Sequence, residues 1–195
     1  FTSAATDTHS ELVASSFRSG NPKDAHLDYV RNLSFALNEA ARTLKDDGVF
    51  SFVYSHSSLN GWLAIVQSFR NSAIRISSVQ PLSIERKARP RAIKSDAINT
   101  CVTFVGRKGL KKPQKGTDVL VSFKNIVDGE FVPSLLQAGW NDSDIGVAMF
   151  AQGVGLLSNV ATITDDMTDE EVLQGVEMLI QGVLPSFRVQ KRGSI

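Results

Sequence analysis

A helix-type apolar stripe followed by a short apolar run occurs twice between residues 22 and 79, and this alternation leaves few folds open to the chain. The short runs, Val49 to Tyr54 and Ile74 to Val79, are rich in aromatic and β-branched residues, which is typical of buried strands. Strands joined through a helix run parallel and are connected by a right-handed crossover. The sequence therefore predicts an α/β domain.

The first helix has a clear start signal. Asn21 is a good N-cap, and Pro22 suits the first turn, where its missing N–H costs nothing. Apolar residues then recur at three- and four-residue steps from Val30 to Leu44. We expect this stripe to pack on the sheet that begins at Val49.

The second helix begins after Ser57 or Ser58, either of which is a suitable cap. Trp62 and Phe69 lie on its apolar face, so we expect core packing there rather than base stacking. We expect Pro81 to end the strand that follows. A third strand, Ile98 to Val105, has no helical pattern before it and indicates an antiparallel return.

The chain changes character beyond the third strand. Residues 1–108 form the predicted α/β part, 109–117 a linker rich in Lys, Gly and Pro, and 118–195 a mainly helical extension. Within the extension, the pattern predicts a helix over Asn141 to Leu157 and a short strand over Asn159 to Thr164. A further helix starts at a capping box formed by Thr168 and Glu171.

Positive charge is concentrated in one segment. Residues 86 to 115 hold ten Lys or Arg and one acid, for a net charge of +9, whereas the rest of the chain carries −8. Such a concentration is the electrostatic footprint of a polyanion contact, although a solvated basic loop produces it as well.

Cysteine and histidine usage restricts the chemistry. The single cysteine, Cys101, lies in an apolar run, so a disulfide framework and a cysteine metal cluster are both excluded. His9 and His26 have no partner at metal-ligand spacing. The sequence lacks a membrane-length apolar run and a leader-like start, so we expect a soluble, cytoplasmic protein.

Several phrases together resemble a known family. They are Glu11 to Ala14, Ala41 to Gly48 before the first strand, Gly61-Trp62, Val79 to Arg86, and Phe104 to Arg107. This order resembles the adenine-specific DNA methylases, S-adenosylmethionine-dependent enzymes whose larger members carry a zinc ribbon. The resemblance covers residues 10 to 108 and, more loosely, the region around Asp144 to Phe187.

The resemblance implies the C-terminal half of a Rossmann-like class I methyltransferase sheet, with strands five to seven and the last strand inserted antiparallel beside its neighbours. It also implies that the Gly-rich cofactor loop and an Asp/Asn-Pro-Pro-Tyr motif precede these strands. Neither motif occurs in this sequence. Gly153 and Gly155 lie inside a predicted helix and indicate close packing rather than a cofactor loop.

Candidate nucleic-acid contacts follow the two parallel strands, because ligands bind outside the carboxyl ends of strands in open α/β sheets. His56 follows the first strand and suits a base or phosphate, with a plain loop role as the alternative. The loop after the second strand contains one hydrogen-bond acceptor together with several cations. Among these, arginine suits phosphates, because its guanidinium group can donate two hydrogen bonds to one phosphate. The candidate residues of this loop are Glu85, Arg86, Lys87, Arg89, Arg91 and Lys94.

The expected function is that of the C-terminal segment of a DNA (adenine-N6) methyltransferase, giving sheet support and target-strand contacts. S-adenosylmethionine is expected in the complete enzyme but not on this segment, which alone is expected to be inactive. Expected partners are DNA and either the missing methyltransferase half or a second copy. Two alternatives stay open: a non-catalytic nucleic-acid-binding or partner module, and part of an RNA or small-molecule methyltransferase.

Overall fold

The computed structural model describes residues 11–15, 19–83 and 100–189, and this part of the chain has mixed α/β structure. The elements in chain order are α1 (Pro22–Thr43), β1 (Phe50–Tyr54), α2 (Leu59–Arg70), β2 (Ile74–Ser83), β3 (Thr100–Lys108), β4 (Lys112–Gln114), α3 (Gly116–Val127), α4 (Phe131–Gln137), α5 (Asp142–Ser158), β5 (Val160–Ile163) and α6 (Asp169–Gln181). The predicted α/β class is confirmed.

The predicted helix starts are confirmed by their hydrogen bonds. The Asn21 side chain accepts the N–H of Asp24 at 2.9 Å. Ser58, rather than Ser57, caps α2 by accepting the N–H of Gly61 at 3.3 Å. At α6 both halves of the Thr168–Glu171 capping box are present. These local signals satisfy N–H groups that otherwise have no partner in the first turn.

The strand order differs in one respect from the expectation. The sheet order is β1-β3-β2, and β3 is antiparallel to both neighbours. The antiparallel return is confirmed, but the direct parallel pairing of β1 with β2 is wrong, because β3 lies between them. The two outer strands still run in the same direction.

Pro81 does not end β2, which continues to Ser83. Pro81 is paired with Val102 of β3 on one side, and no described strand pairs with β2 on its other side. A proline is tolerated in such an edge strand when its missing N–H would point away from the ladder.

The core lies on one face of this sheet. Phe52, Val102 and Phe104 face α2, whose Trp62 is 2% exposed and whose Phe69 is fully buried. The rings of Trp62 and Phe104 lie 6.5 Å apart in an edge-to-face arrangement. The expectation that Trp62 and Phe69 belong to the core is confirmed.

The C-terminal helices pack on the same core. Two glycines without side chains let α5 approach its neighbours closely. Gly153 lies against Val176 of α6, and Gly155 lies against Val79 of β2. Close packing at both glycines is thus confirmed. The predicted linker contains β4, which pairs parallel with β5. The division at residues 108 and 118 stays a prediction.

The opposite face of the sheet is exposed along its two outer strands. Ser51 and Gln80 are exposed, and so are the apolar side chains of Val53 (56%) and Leu82 (41%). On the central strand β3, Cys101 of the same face is 3% exposed, and Thr103 and Val105 are half-buried. One face therefore carries the core, and the second is open along its outer strands.

Candidate nucleic-acid interface

The strand ends that precede the candidate contact loops lie at one end of the sheet. Tyr54, the last residue of β1, pairs with Val102 of β3, and Ser83, the last residue of β2, pairs with Thr100. The loop after β1 therefore leaves from the same end of the sheet as Ser83 and Thr100, the described residues on either side of segment 84–99. This is the end at which the carboxyl termini of β1 and β2 meet, as expected from their common direction.

A hydrogen bond joins the loop after β1 to the start of β3. Ser55 Oγ donates to the carbonyl oxygen of Thr100 at 3.0 Å. The buried hydroxyls of Thr100 and Thr103 have no hydrogen-bond partner among the described residues. A buried polar group without a partner is costly, so this end of β3 carries unused hydrogen-bonding capacity.

His56 is held in a defined orientation. Its ring stacks on Tyr54 with the centroids 6.1 Å apart and the planes at 11°. Nδ1 accepts the backbone N–H of Ser58 at 3.0 Å. The proton of the neutral imidazole therefore sits on Nε2. Burial lowers the pKa of His56, so at neutral pH the ring is an uncharged donor.

The residues around His56 fix this arrangement. A Cβ at Gly61 would lie 2.3 Å from Cγ of His56, so only glycine leaves room for the ring. The hydroxyl of Tyr54 donates to the carbonyl oxygen of Gly61 at 3.1 Å, and burial raises the Tyr54 pKa. The structure thus presents the His56 ring with little freedom to turn.

The remaining candidates belong to the basic loop after β2. Glu85, Arg86, Lys87, Arg89, Arg91 and Lys94 lie outside the described residues. The described residues on either side of them are Ser83, which ends β2, and Thr100, which begins β3 and accepts a hydrogen bond from Ser55.

Several described cations of the basic segment have structural contacts. Arg107 donates to the carbonyl oxygen of Asp47 at 2.7 Å. Lys108 pairs with Asp46 at 3.2 Å. Lys111 donates to backbone carbonyls at the end of α2, whereas Lys112 and Lys115 are exposed. The net charge of the segment therefore overstates the charge that is free for a polyanion.

The support around His56 does not follow from the sequence pattern. The pattern indicates only that Tyr54 lies in a strand and that Gly61 belongs to a phrase of the resemblance. The position of Gly61 in the first turn of a helix is one signal, because a glycine there is unfavourable unless something approaches its backbone closely. Here the His56 ring is that neighbour.

The described residues contain no metal cluster, and the two glycines of α5 are closely packed. They contain no cluster of three or more His, Cys, Asp or Glu suited to a metal. The paired glycines of α5 contact Val176 and Val79, so they are not free to cradle a cofactor. None of the described helices combines the length and apolarity needed to cross a membrane.

Comparison with known proteins adds no relative: no family model, no curated protein and no solved structure matches this chain.

Proposed function

We propose that this chain is the C-terminal segment of a S-adenosylmethionine-dependent DNA (adenine-N6) methyltransferase, where it supports the sheet and contacts the target strand. The observation that carries the proposal is the position of β3, antiparallel and inserted between two strands of common direction. For the last strand of the Rossmann-like methyltransferase sheet, the resemblance implies insertion antiparallel beside its neighbours, and β3 is antiparallel to both of its neighbours.

The layer arrangement supports the same proposal. Helices α1 and α2 belong to the core on one face, while the other face and the outer edge of β1 have no described partner. A doubly wound sheet carries helices on both faces, so the open face and edge are where further strands and helices of a complete domain would add. Because the chain lacks the cofactor loop and the catalytic motif, both are supplied by the complementary half.

The role in DNA contact rests on the shared end of the sheet. His56 presents an Nε2–H donor in the loop that Ser55 joins to Thr100, the first described residue after the basic loop. A neutral donor reads a base edge or a phosphate oxygen without adding charge, while the arginines supply charge. In this proposal His56 positions the strand, and Arg86, Arg89 and Arg91 neutralise phosphates.

The salt dependence of DNA binding tests the proposal. The affinity of the chain for a labelled duplex is measured across a range of salt concentrations, for the wild type and for the triple variant Arg86→Gln, Arg89→Gln, Arg91→Gln. Each lost phosphate contact lowers the slope of log K against log salt by about 0.9. The expected decrease is therefore up to ~2.7.

A matched control removes the same charge from α1. The variant Lys23→Gln, Arg31→Gln, Arg42→Gln changes three exposed cations of α1, which the proposal does not assign to DNA, and should leave the slope almost unchanged. His56→Gln should weaken binding roughly 2- to 10-fold without changing the slope, since one neutral hydrogen bond contributes about 0.5–1.5 kcal/mol. Equal slopes for the two triple variants would refute the assigned contacts, and methyl transfer by the isolated chain would refute the division of labour.

A further inference from the structure

The loop after β1 turns back onto the first turn of α2. Nδ1 of His56 lies 3.0 Å from the backbone nitrogen of Ser58 and 3.0 Å from its hydroxyl oxygen. That hydroxyl caps α2 by accepting the N–H of Gly61 at 3.3 Å. The imidazole therefore belongs to the hydrogen-bonded structure that begins the helix.

A series of aromatic rings connects His56 to the core. The Tyr54 ring, on which His56 stacks, lies edge-to-face with Trp62 at a centroid distance of 5.3 Å and an angle of 77°. Trp62 in turn contacts Phe104, and both of these side chains are at most 2% exposed. Because the inner rings are fixed in the core, they limit where the His56 ring can lie.

Gly61 is the position on which this arrangement depends. It is buried in the first turn of α2, and the three heavy atoms nearest to a Cβ at this position are Cγ, Nδ1 and Cδ2 of His56. Glycine is less favourable than alanine inside a helix, so its use here has a cost. Space for the imidazole is the benefit that the described contacts show.

We propose that Gly61 is a positioning residue for DNA contact, since it leaves the space that keeps Nδ1 of His56 against Ser58 and makes Nε2–H the one group of the ring available to DNA. This inference rests on the proposed function. Nε2 has no hydrogen-bond partner among the described residues. A ring turned about its Cβ–Cγ bond would present a different nitrogen. The fixed ring therefore selects a hydrogen-bond acceptor of the DNA, either a phosphate oxygen or an acceptor atom of a base edge.

Thermal unfolding tests the contact between Gly61 and His56 without DNA. In the wild type, Gly61→Ala displaces the imidazole and should lower the Tm. In a His56→Ala background, the same change no longer overlaps a ring and only adds helix propensity, so it should raise the Tm. Asn60→Ala, at an exposed position of the same turn, should have the same small effect in both backgrounds.

Nitrogen NMR of the imidazole, above its pKa, reports which ring nitrogen carries the proton. A loss of stability alone does not change this signature in the folded protein. The wild type should show His56 in the Nε2–H form alone, whereas Gly61→Ala should show a mixture of the two tautomers. Asn60→Ala should resemble the wild type.

DNA affinity separates this inference from the proposed function. With the labelled duplex of the salt series, His56→Ala and Gly61→Ala should each weaken binding roughly 2- to 10-fold. The double variant should bind no more weakly than His56→Ala, because Gly61 acts through the ring. Additive losses, a Tm that Gly61→Ala lowers in both backgrounds, or mixed tautomers in the wild type would overturn the role of Gly61. The expected Tm and tautomer results without any change in affinity would instead refute the DNA contact of His56.

Neutral phosphate analogues identify the acceptor. Methylphosphonates replace the phosphates of the duplex one at a time, and the wild type is compared with His56→Ala on each duplex. If one replacement abolishes the difference between the two proteins, the acceptor is an oxygen of that phosphate. If the difference persists at every position, the acceptor lies on a base edge.

Discussion

Lys111 shows how a single residue of the basic segment serves the fold. Its Nζ donates to carbonyl oxygens at the end of α2, including that of Phe69 and, at 2.6 Å, that of Ser72. The last carbonyls of a helix have no intrahelical partner, and lysine is a common way to satisfy them. Burial, and then the charge of Arg70, lower the pKa of Lys111 to about 8.

This lowered pKa predicts a pH dependence of stability. Between about pH 8 and 10.5 the unfolded chain holds the Lys111 proton more tightly than the folded chain does. The Lys111 contribution to the free energy of unfolding therefore rises with pH across this window. Burial raises the pKa of Cys101, which acts in the opposite direction above its ordinary value of 9.0.

Comparison with a variant isolates the lysine. Urea midpoints are measured at several pH values from neutral to 10 for the wild type and for Lys111→Met, which keeps the unbranched apolar stem. The free energy of unfolding of the wild type, relative to that of Lys111→Met, should increase as the pH rises through the window. If the difference in unfolding free energy between the two proteins does not change with pH, the pKa of Lys111 is the same in the folded and unfolded chains.

At the scale of elements, one side chain ties α2 to the C-terminal part. Arg70 donates through Nε to the carbonyl oxygen of Val160 at 2.8 Å and forms two bonds to Asp169 at 2.7 and 2.6 Å. The two side chains are 17% and 16% exposed. A bidentate pair shielded from water is among the stronger polar contacts between elements.

Asp169→Asn should therefore destabilise the chain by roughly 1–3 kcal/mol, because it leaves the guanidinium partly buried without its charge partner. Glu170→Gln is the matched control, since it removes an exposed acid from the same first turn of α6. The lost interaction with the α6 helix dipole should lower the free energy of unfolding by about 0.3–1 kcal/mol. Urea unfolding measures both, and equal losses would mean that Asp169 acts only through the helix dipole.

The elements themselves could be predicted from the sequence because their signals are local. The Asn21 cap, the Ser58 cap and the Thr168–Glu171 box each involve residues within one turn of a helix. The order of the strands depends instead on pairings between distant residues, such as Phe52 with Phe104. No local pattern placed β3 between β1 and β2.

The candidate site was predictable to a similar degree. Its location at the carboxyl ends of the strands followed from the alternation of helix and strand, and His56 lies there. The stacking of His56 on Tyr54 and the space made by Gly61 depend on side-chain geometry that spacing alone does not contain. The edge position of β2 did have a signal in Pro81, which was interpreted as the end of the strand.

At the scale of the whole molecule, the one-sided sheet predicts association. The described helices cover one face, while Val53 on the other is 56% exposed and β1 has no described neighbour on its outer edge. Exposed strand edges pair with other chains. We expect the chain to dimerise, or to bind a chain that supplies the missing strands, through β1 and the open face.

A lysine on that face should oppose association, since edge charges block strand pairing. Val53→Lys should raise the dissociation constant of the dimer at least about tenfold, because it removes apolar contact and adds like charges across a symmetric interface. Leu110→Lys is the control, since Leu110 is 92% exposed and lies beyond β3 rather than on β1. Sedimentation velocity over a range of concentrations measures both variants. A monomeric wild type with slow amide exchange along β1 would show that the edge is already covered, and a dimer that Val53→Lys leaves intact would refute the assignment of the contact to β1.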